Sequence, residues 1–192
     1  MLKAPYVVTG ASRGLGRAIA RNLAECGHPI IALSRDAVSL GLAGAEFAEI
    51  QADSITITCD LADRADIAAA AEQIKAKTGW IAGIVHNAGI ISPIKSIAEV
   101  DRANWARNIQ INLVGVQDLT NRLMPVLGGK QQSRITTISS GASLRAISGW
   151  SAYCVAKAGL DMWAKCMAEE GAENNISAIS IAPGIVDTDM QK

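Results

Sequence analysis

The sequence predicts one α/β domain, a doubly wound parallel sheet with helices on both faces. Three observations carry that prediction. Short runs rich in Val, Ile and Thr alternate with longer stretches of helical period, the connections between them are short, and 192 residues make one domain of ordinary size. Strand, helix, strand with short links implies parallel pairing, because a parallel partner needs a crossover long enough to hold a helix. Right-handed crossovers then distribute the helices over both faces.

The first strand covers residues 6–8 and runs through a glycine turn into a helix over 15–26. The second strand, 29–33, precedes a helix over 37–50, and the third, 55–59, precedes one over 63–77 that Asp63 opens as N-cap. The fourth strand, 81–85, is followed by a loop and a long helix over 101–127, opened by Asp101 and closed by Gly128-Gly129. The fifth strand, 134–138, leads to a helix over 151–174, and the sixth covers 176–181. The strands read as near-continuous apolar runs, as strands covered on both faces do.

Composition narrows the function classes. The chain is 49% apolar, which excludes a disordered protein. Its 18 basic and 18 acidic residues balance, whereas a protein that grips phosphate backbones carries a basic excess. No run approaches the ~18 consecutive apolar residues of a membrane span, and the N-terminal residues show none of the regions of a signal peptide. Nucleic acid and membrane are therefore not expected partners. Cys26, Cys59, Cys154 and Cys166 form no C-x-x-C pair and no cluster with histidine at zinc spacing. No metal site is expected, and the thiols read as the reduced cysteines of a cytoplasmic protein.

The turn after the first strand reads Thr9-Gly10-Ala11-Ser12-Arg13-Gly14-Leu15-Gly16. Glycines there let the backbone turn sharply and approach a pyrophosphate, and the following helix offers its N–H groups to the phosphates. The spacing is G-x-x-x-G-x-G, not the standard G-x-G-x-x-G. A Rossmann-like dinucleotide site follows, formed by Gly10, Ser12, Arg13, Gly14, Leu15 and Gly16. The second strand ends at Ser34-Arg35-Asp36, where an acid would bind ribose hydroxyls and an arginine would accept a 2′-phosphate. Arg13 and Arg35 together suit a phosphate through forked, charge-assisted hydrogen bonds. Asp36, one residue further, reads as opening the next turn, so NADP(H) is preferred to NAD(H). Asp60 and Leu61 end the third strand, and Asn87-Ala88-Gly89 the fourth; both reach the carboxyl edge of the sheet, where such folds bind ligands. Asp60 is a candidate acceptor for the adenine amino group. His86 and His28 read as structural residues.

Tyr153 and Lys157 stand four residues apart on one helix, hence on one face. A phenol titrates near pH 10, and a neighbouring ammonium favours its ionised form. Such a tyrosine can give a proton to a carbonyl oxygen as hydride arrives at the carbon. Ser140 ends the fifth strand, thirteen residues before Tyr153, and its hydroxyl can hold the substrate oxygen in register. Asn112, inside the long helix, carries an amide that can bridge to Lys157 directly or through water. Trp150 either lines the substrate pocket, stacking on a flat aromatic ketone, or packs under the loop or against a partner subunit.

With these motifs together the chain resembles the short-chain dehydrogenase/reductase family from Val7 to its last residue. The glycine turn is similar to that family's cofactor turn, Asn87-Ala88-Gly89 to its structural motif, and Asn112, Ser140, Tyr153 and Lys157 to its catalytic tetrad. Pro183-Gly184 with Thr188 resembles its nicotinamide-side motif. The resemblance implies that Tyr153 is the acid/base, that Ser140 orients the carbonyl, and that Lys157 serves both Tyr153 and the nicotinamide ribose. It further implies a proton relay completed by Asn112, and nicotinamide contacts from Thr188 and the backbone at Ile185 and Val186. Segments around Ser140, Tyr153, Lys157 and Pro183 resemble the sepiapterin and benzil reductase branch, NADPH-dependent reductases of vicinal dicarbonyls. His86 stands where the family more commonly has Asn. The implied function is hydride transfer from NADPH to a ketone or vicinal diketone, with Ser140, Trp150 and Tyr153 against a small carbonyl substrate. A cofactor-binding regulatory or scaffold protein of the same fold, without turnover, is the alternative. The two long helices are the surfaces this family uses for pairing, so a homo-oligomer, dimer or tetramer, is expected. Family members continue past the position of Lys192 through a substrate-covering segment and one more strand, so residues 1–192 are expected to form one catalytic domain lacking those parts.

Overall fold

A computed structural model of the chain describes residues 3–184 and 186. Six strands, β1 (Tyr6–Thr9), β2 (Ile30–Ser34), β3 (Ile55–Thr58), β4 (Gly83–His86), β5 (Ser133–Ile138) and β6 (Ile176–Ile181), form one sheet. Their order is β3-β2-β1-β4-β5-β6 and every pairing is parallel. The order reverses between β1 and β4, the switch point outside which doubly wound sheets open a ligand crevice. Thr9 stands level with Leu33 of β2 and His86 of β4, so the residues that follow these strands emerge on one edge.

Alternation along the strands sends successive side chains to opposite faces, and each face builds its own core. Val7, Ile31, Leu33, Ile84 and Ile135 pack beneath Ile67 and Ile74 of α3 (Arg64–Lys77) and Leu119 and Leu123 of α5 (Gly115–Leu123). Val8, Ile30, Ala32 and Val85 pack beneath Ala20 and Ala24 of α1 (Gly14–Glu25) and Leu40 and Phe47 of α2 (Ala37–Ile50). The helix α6 (Ser151–Gly171) lies over β5 and β6 and sends Trp163 into the first core.

The caps carry out their expected work. Asp63 accepts from the Ala65 and Asp66 amides, and Asp101 from that of Asn104. Gly128 and Gly129 take positive φ after the long helical segment, a conformation open to glycine. That segment is not one helix. α4 (Arg102–Ile109) passes through a π turn at Gln110–Val114 into α5, which ends in a 3₁₀ turn at Met124–Val126. The π turn falls on Asn112, whose side chain is drawn toward the loop after β4; such widened turns collect at functional sites. Among the described residues no helix is long and apolar enough to cross a membrane, and no group of His, Cys, Asp and Glu is arranged to hold a metal ion.

Candidate active site

The glycine turn owes its shape to the end of β4. Asn87 donates from Nδ2 to the carbonyls of Thr9 (3.2 Å) and Gly10 (3.3 Å), and Thr9 Oγ1 accepts from the amides of Asn87 and Ala88. Gly10 sits at φ +67°, and a Cβ there would stand 2.8 Å from Asn87 Nδ2 and 2.9 Å from Ala88 Cα. No residue other than glycine fits that approach. The turn ends at Arg13, the extended N-cap of α1, whose side chain makes no capping hydrogen bond to the helix among the described residues. The first-turn N–H groups of α1 are thus left for a ligand, and no acid stands among them.

Above the turn lies a cleft of about 620 Å³. Gly10, Ser12, Arg13, Gly14, Leu15 and Gly16 form its floor, and Ser34 and Arg35 one end. Ser12 Oγ and Ser34 Oγ are 3.0 Å apart, tying the turn to the end of β2. Asp36 caps α2, accepting from Ser39 N (2.7 Å) and Ser39 Oγ (2.6 Å), and the resulting bonds hold its carboxyl below the usual carboxylate range. It opens the next element, as the sequence suggests. Asp60 and Leu61 line the opposite wall with Asn87, Ala88 and Gly89. Both Asp60 carboxylate oxygens are engaged, one by the Ala62 amide (2.9 Å) and the other by Arg107 of α4 (3.2 Å). An uncapped helix start, a floor of close-approach glycines and two guanidinium side chains together fit a phosphorylated dinucleotide.

Tyr153, Lys157, Ser139 and Ser140 line the far end of the same cleft. Tyr153 is 6% exposed and Lys157 4%. Lys157 donates from Nζ to the Ile138 carbonyl at 2.7 Å and stands 5.6 Å from the centre of the Tyr153 ring. Burial brings the Lys157 ammonium down to about 8, against the opposing pull of Asp161. Ser140 caps the 3₁₀ turn Gly141–Ser143, its Oγ accepting from the Ala142 amide at 3.2 Å, so its own hydrogen is available to donate.

Burial also pushes the Tyr153 phenol above its ordinary value, and the Ser140 hydrogen bond draws it only part of the way back. The expected lowering by the neighbouring ammonium is therefore reversed in the free site. A side chain nearly enclosed by its own helix and the β5 edge loses more phenolate solvation than the Ser140 hydrogen bond returns. The phenol stays protonated at neutral pH, the form a proton donor needs.

Asn112 is 1% exposed and stands behind Gly89, outside the cleft wall. A Cβ at Gly89 would come within 2.6 Å of Asn112 Oδ1 and 3.7 Å of Lys157 Nζ. The Asn112 amide accepts from Ile90 N (3.0 Å) and donates to Ile90 O and Asn108 Oδ1 (both 2.8 Å). The expected direct bridge to Lys157 is not made: an ammonium can only donate, and the Asn112 oxygen it would need is occupied by the Ile90 amide. Asn108, fully buried, was not singled out from the sequence; its Nδ2 meets the carbonyls of Ile90, Ile91 and Ser92. Its signal was a second asparagine one helical turn before Asn112.

Trp150 stands outside the cleft lining and packs edge-on against the Tyr153 ring, centroids 5.8 Å apart. His86 faces α5 and α6, with Nε2 2.8 Å from Thr120 Oγ1 and the ring edge-on to Trp163. His28 contacts the Ala4 carbonyl and the Tyr6 ring. Neither histidine reaches the cleft lining. Pro183, Gly184 and Val186 also line the cleft. Ile185 and Thr188 lie outside the described residues. Ile90, Ile91, Ile111 and Ile138, which no motif in the sequence marks, add apolar surface to the cleft lining.

Comparison with known proteins gives these observations a context. Residues 5–192 match the family described as short chain dehydrogenase. A benzil reductase of Saccharomyces cerevisiae that forms (S)-benzoin is 35% identical over 192 residues, covering 97% of this chain and 73% of its own length. A Bacillus subtilis benzil reductase forming the same product is 32% identical, covering 97% of this chain and 76% of its own length. Among solved structures, a metagenomic short-chain oxidoreductase in complex with NADP superposes with a TM-score of 0.89 at 30% identity, covering 96% of this chain and 84% of that one.

Proposed function

The chain belongs to the short-chain dehydrogenase family of oxidoreductases, and from that premise we propose that it reduces ketones, vicinal diketones foremost, with NADPH as hydride donor. The observation that carries the reading is the burial of Tyr153 in the cleft wall beside Lys157 and Ser140. When bound, the nicotinamide would supply a hydride to the carbonyl carbon. The chain's own residues handle the oxygen. Ser140 donates a hydrogen bond to it, and Tyr153 gives up its phenolic proton as negative charge grows there. The carbonyl becomes an alcohol and Tyr153 a phenolate, which the Lys157 ammonium and the Ser140 hydroxyl stabilise until a proton returns.

Asn112 acts at one remove. Its amide holds both polar atoms of Ile90, and so fixes the loop that follows Gly89 against the lysine. At the other end of the cleft, Gly10 to Gly16 and the α1 N-terminus would hold the pyrophosphate, and Arg13 and Arg35 the 2′-phosphate. Ile90, Ile91 and Ile138 offer apolar surface to the substrate, in keeping with the diaryl diketone named for the yeast and Bacillus relatives. Pairing through α4, α5 and α6, with Val114 of the π turn and Val155 and Met162 of α6 exposed, is the matching proposal for assembly.

The reading is tested by following NADPH absorbance when the chain is mixed with benzil, shorter vicinal diketones and monoketones. Consumption with the diketones, fastest for benzil, and benzoin as product are expected. NADPH that binds without being consumed across the panel would instead mark a cofactor-binding protein without turnover.

A further inference from the structure

Tyr153, Lys157 and Asp161 recur every fourth residue along α6, which sets all three on one face. The first two face the cleft and are accounted for by the proposed reaction. Asp161 is not. Its carboxylate does not join the cleft wall but turns to the carboxyl ends of β5 and β6.

What holds it there is built from hydroxyls. Ser180 of β6 donates to Asp161 Oδ1 at 2.5 Å, and Thr137 of β5, fully buried, donates to Ser180 Oγ at 2.8 Å. Because Ser180 accepts from Thr137, its single hydrogen is directed at the carboxylate. The Ser139 and Ser143 hydroxyls lie on the same side of it, Ser139 buried without good hydrogen-bond geometry and Ser143 donating to the Ser140 carbonyl at 2.8 Å. These two charged residues of α6 therefore meet the same strand end, Lys157 at the Ile138 carbonyl and Asp161 beside Ser139 one residue later.

We infer that Asp161 is a positioning residue for the reaction, a fixed negative charge one helical turn behind Lys157 that keeps the buried amine in its charged form. This rests on the reading of Tyr153 and Lys157 as the reacting pair. The physical need is plain. A buried ammonium loses hydration, and a neutral carbonyl and a phenol replace that only in part. The groups around Lys157 are the Tyr153 phenol on its own helix, the Ile138 carbonyl of β5, the Asn112 amide of the π turn and the Gly89 backbone after β4. Among the described residues Asp161 is the carboxylate that acts on it, pulling upward against burial, and the hydroxyls keep Asp161 itself ionised.

The test follows the Lys157 side-chain titration by NMR of lysine-labelled chain without cofactor or substrate, in the parent and in Asp161→Asn, and records kcat/KM on a diketone over the same pH range. Asn keeps the shape and can still accept from Ser180. The expected result in Asp161→Asn is a Lys157 midpoint lower by about one pH unit, a tenfold change in its proton affinity. The alkaline limb of kcat/KM moves down with it, and Asp161→Glu returns both toward the parent. Ser180→Ala, which leaves the carboxylate but removes its anchor, gives a smaller shift in the same direction, and serves if the Asn variant does not fold. An unmoved Lys157 midpoint in Asp161→Asn overturns the inference. So does an equal loss of rate in the Asn and Glu variants with the alkaline limb in place, which marks Asp161 as a tie between α6 and β6 only. If the parent chain reduces no diketone, the proposed reaction fails, while the Lys157 titration still decides the pairing.

Discussion

Lys157 donates a 2.7 Å hydrogen bond to the Ile138 carbonyl while its ammonium stands 5.6 Å from the centre of the Tyr153 ring. One residue thus joins the end of β5 to the phenol proposed as proton donor. The lysine is held by strand backbone, not by the tyrosine, so its placement does not depend on the phenol's protonation state. Replacing Lys157 with Met keeps much of its volume but leaves the Ile138 carbonyl without that donor and the phenolate without its cation. Catalytic rate is expected to drop by at least ~10²-fold with the fold retained, measured by steady-state kinetics and circular dichroism.

Cofactor choice is read at the other end of the cleft. Arg35 lines it just past β2, and Asp36 is occupied as a helix cap. Arg35→Asp should weaken NADPH binding by roughly 10- to 100-fold, the loss of a charge-assisted phosphate contact plus repulsion. NADH binding should change little or improve. Fluorescence titration of both nucleotides measures this, and unchanged NADPH affinity would show that the 2′-phosphate lies elsewhere.

Most of the fold was legible because its signals are local. Apolar runs alternating with helical periods place all six strands and imply their parallel pairing, though not their order, and Asp63 and Asp101 mark helix starts by chemistry that needs no tertiary partner. Strand ends moved by one or two residues, because the last hydrogen bond is set by the neighbouring strand. The π turn at Gln110–Val114 was not legible: it depends on Asn108 and Asn112 reaching a loop some twenty residues earlier. The Tyr153–Lys157 spacing could be read directly. The direction of the phenol's shift could not, since it is decided by how deeply packing buries the ring.

The Asn108 brace makes a prediction about stability. Asn108→Ala removes the amide that meets three loop carbonyls and the acceptor for Asn112. Leaving such buried groups unpaired costs about 1–3 kcal/mol. Thermal unfolding should show a melting temperature lower by several degrees, with the loop 90–92 becoming more open to hydrogen exchange. A change within experimental error would mean that water replaces the amide.

His86 predicts an acid limit to stability. Thr120 Oγ1 gives its own hydrogen to the Val116 carbonyl, so it accepts from His86 Nε2, and Nδ1 is left buried without a partner among the described residues. Burial brings the folded-state value down to about 3 from 6.5. The unfolded chain therefore binds the extra proton first. The contribution from His86 is intact above pH ~6.5 and is lost as pH falls toward 3, at up to about 1.4 kcal/mol per pH unit. Urea unfolding between pH 7 and 5 should show this slope, and His86→Asn should flatten it; an unchanged slope in that variant would assign the acid sensitivity to other groups.

The proton donor itself is reached by a single oxygen. Tyr153→Phe keeps the ring, its edge-on contact with Trp150 and the cofactor floor, and removes only the phenolic hydroxyl. Measured as kcat/KM for benzil reduction beside NADPH affinity, the variant should lose at least ~10²-fold in rate and bind NADPH as the parent does. Turnover near the parent's would contradict the assignment of Tyr153 as the acid.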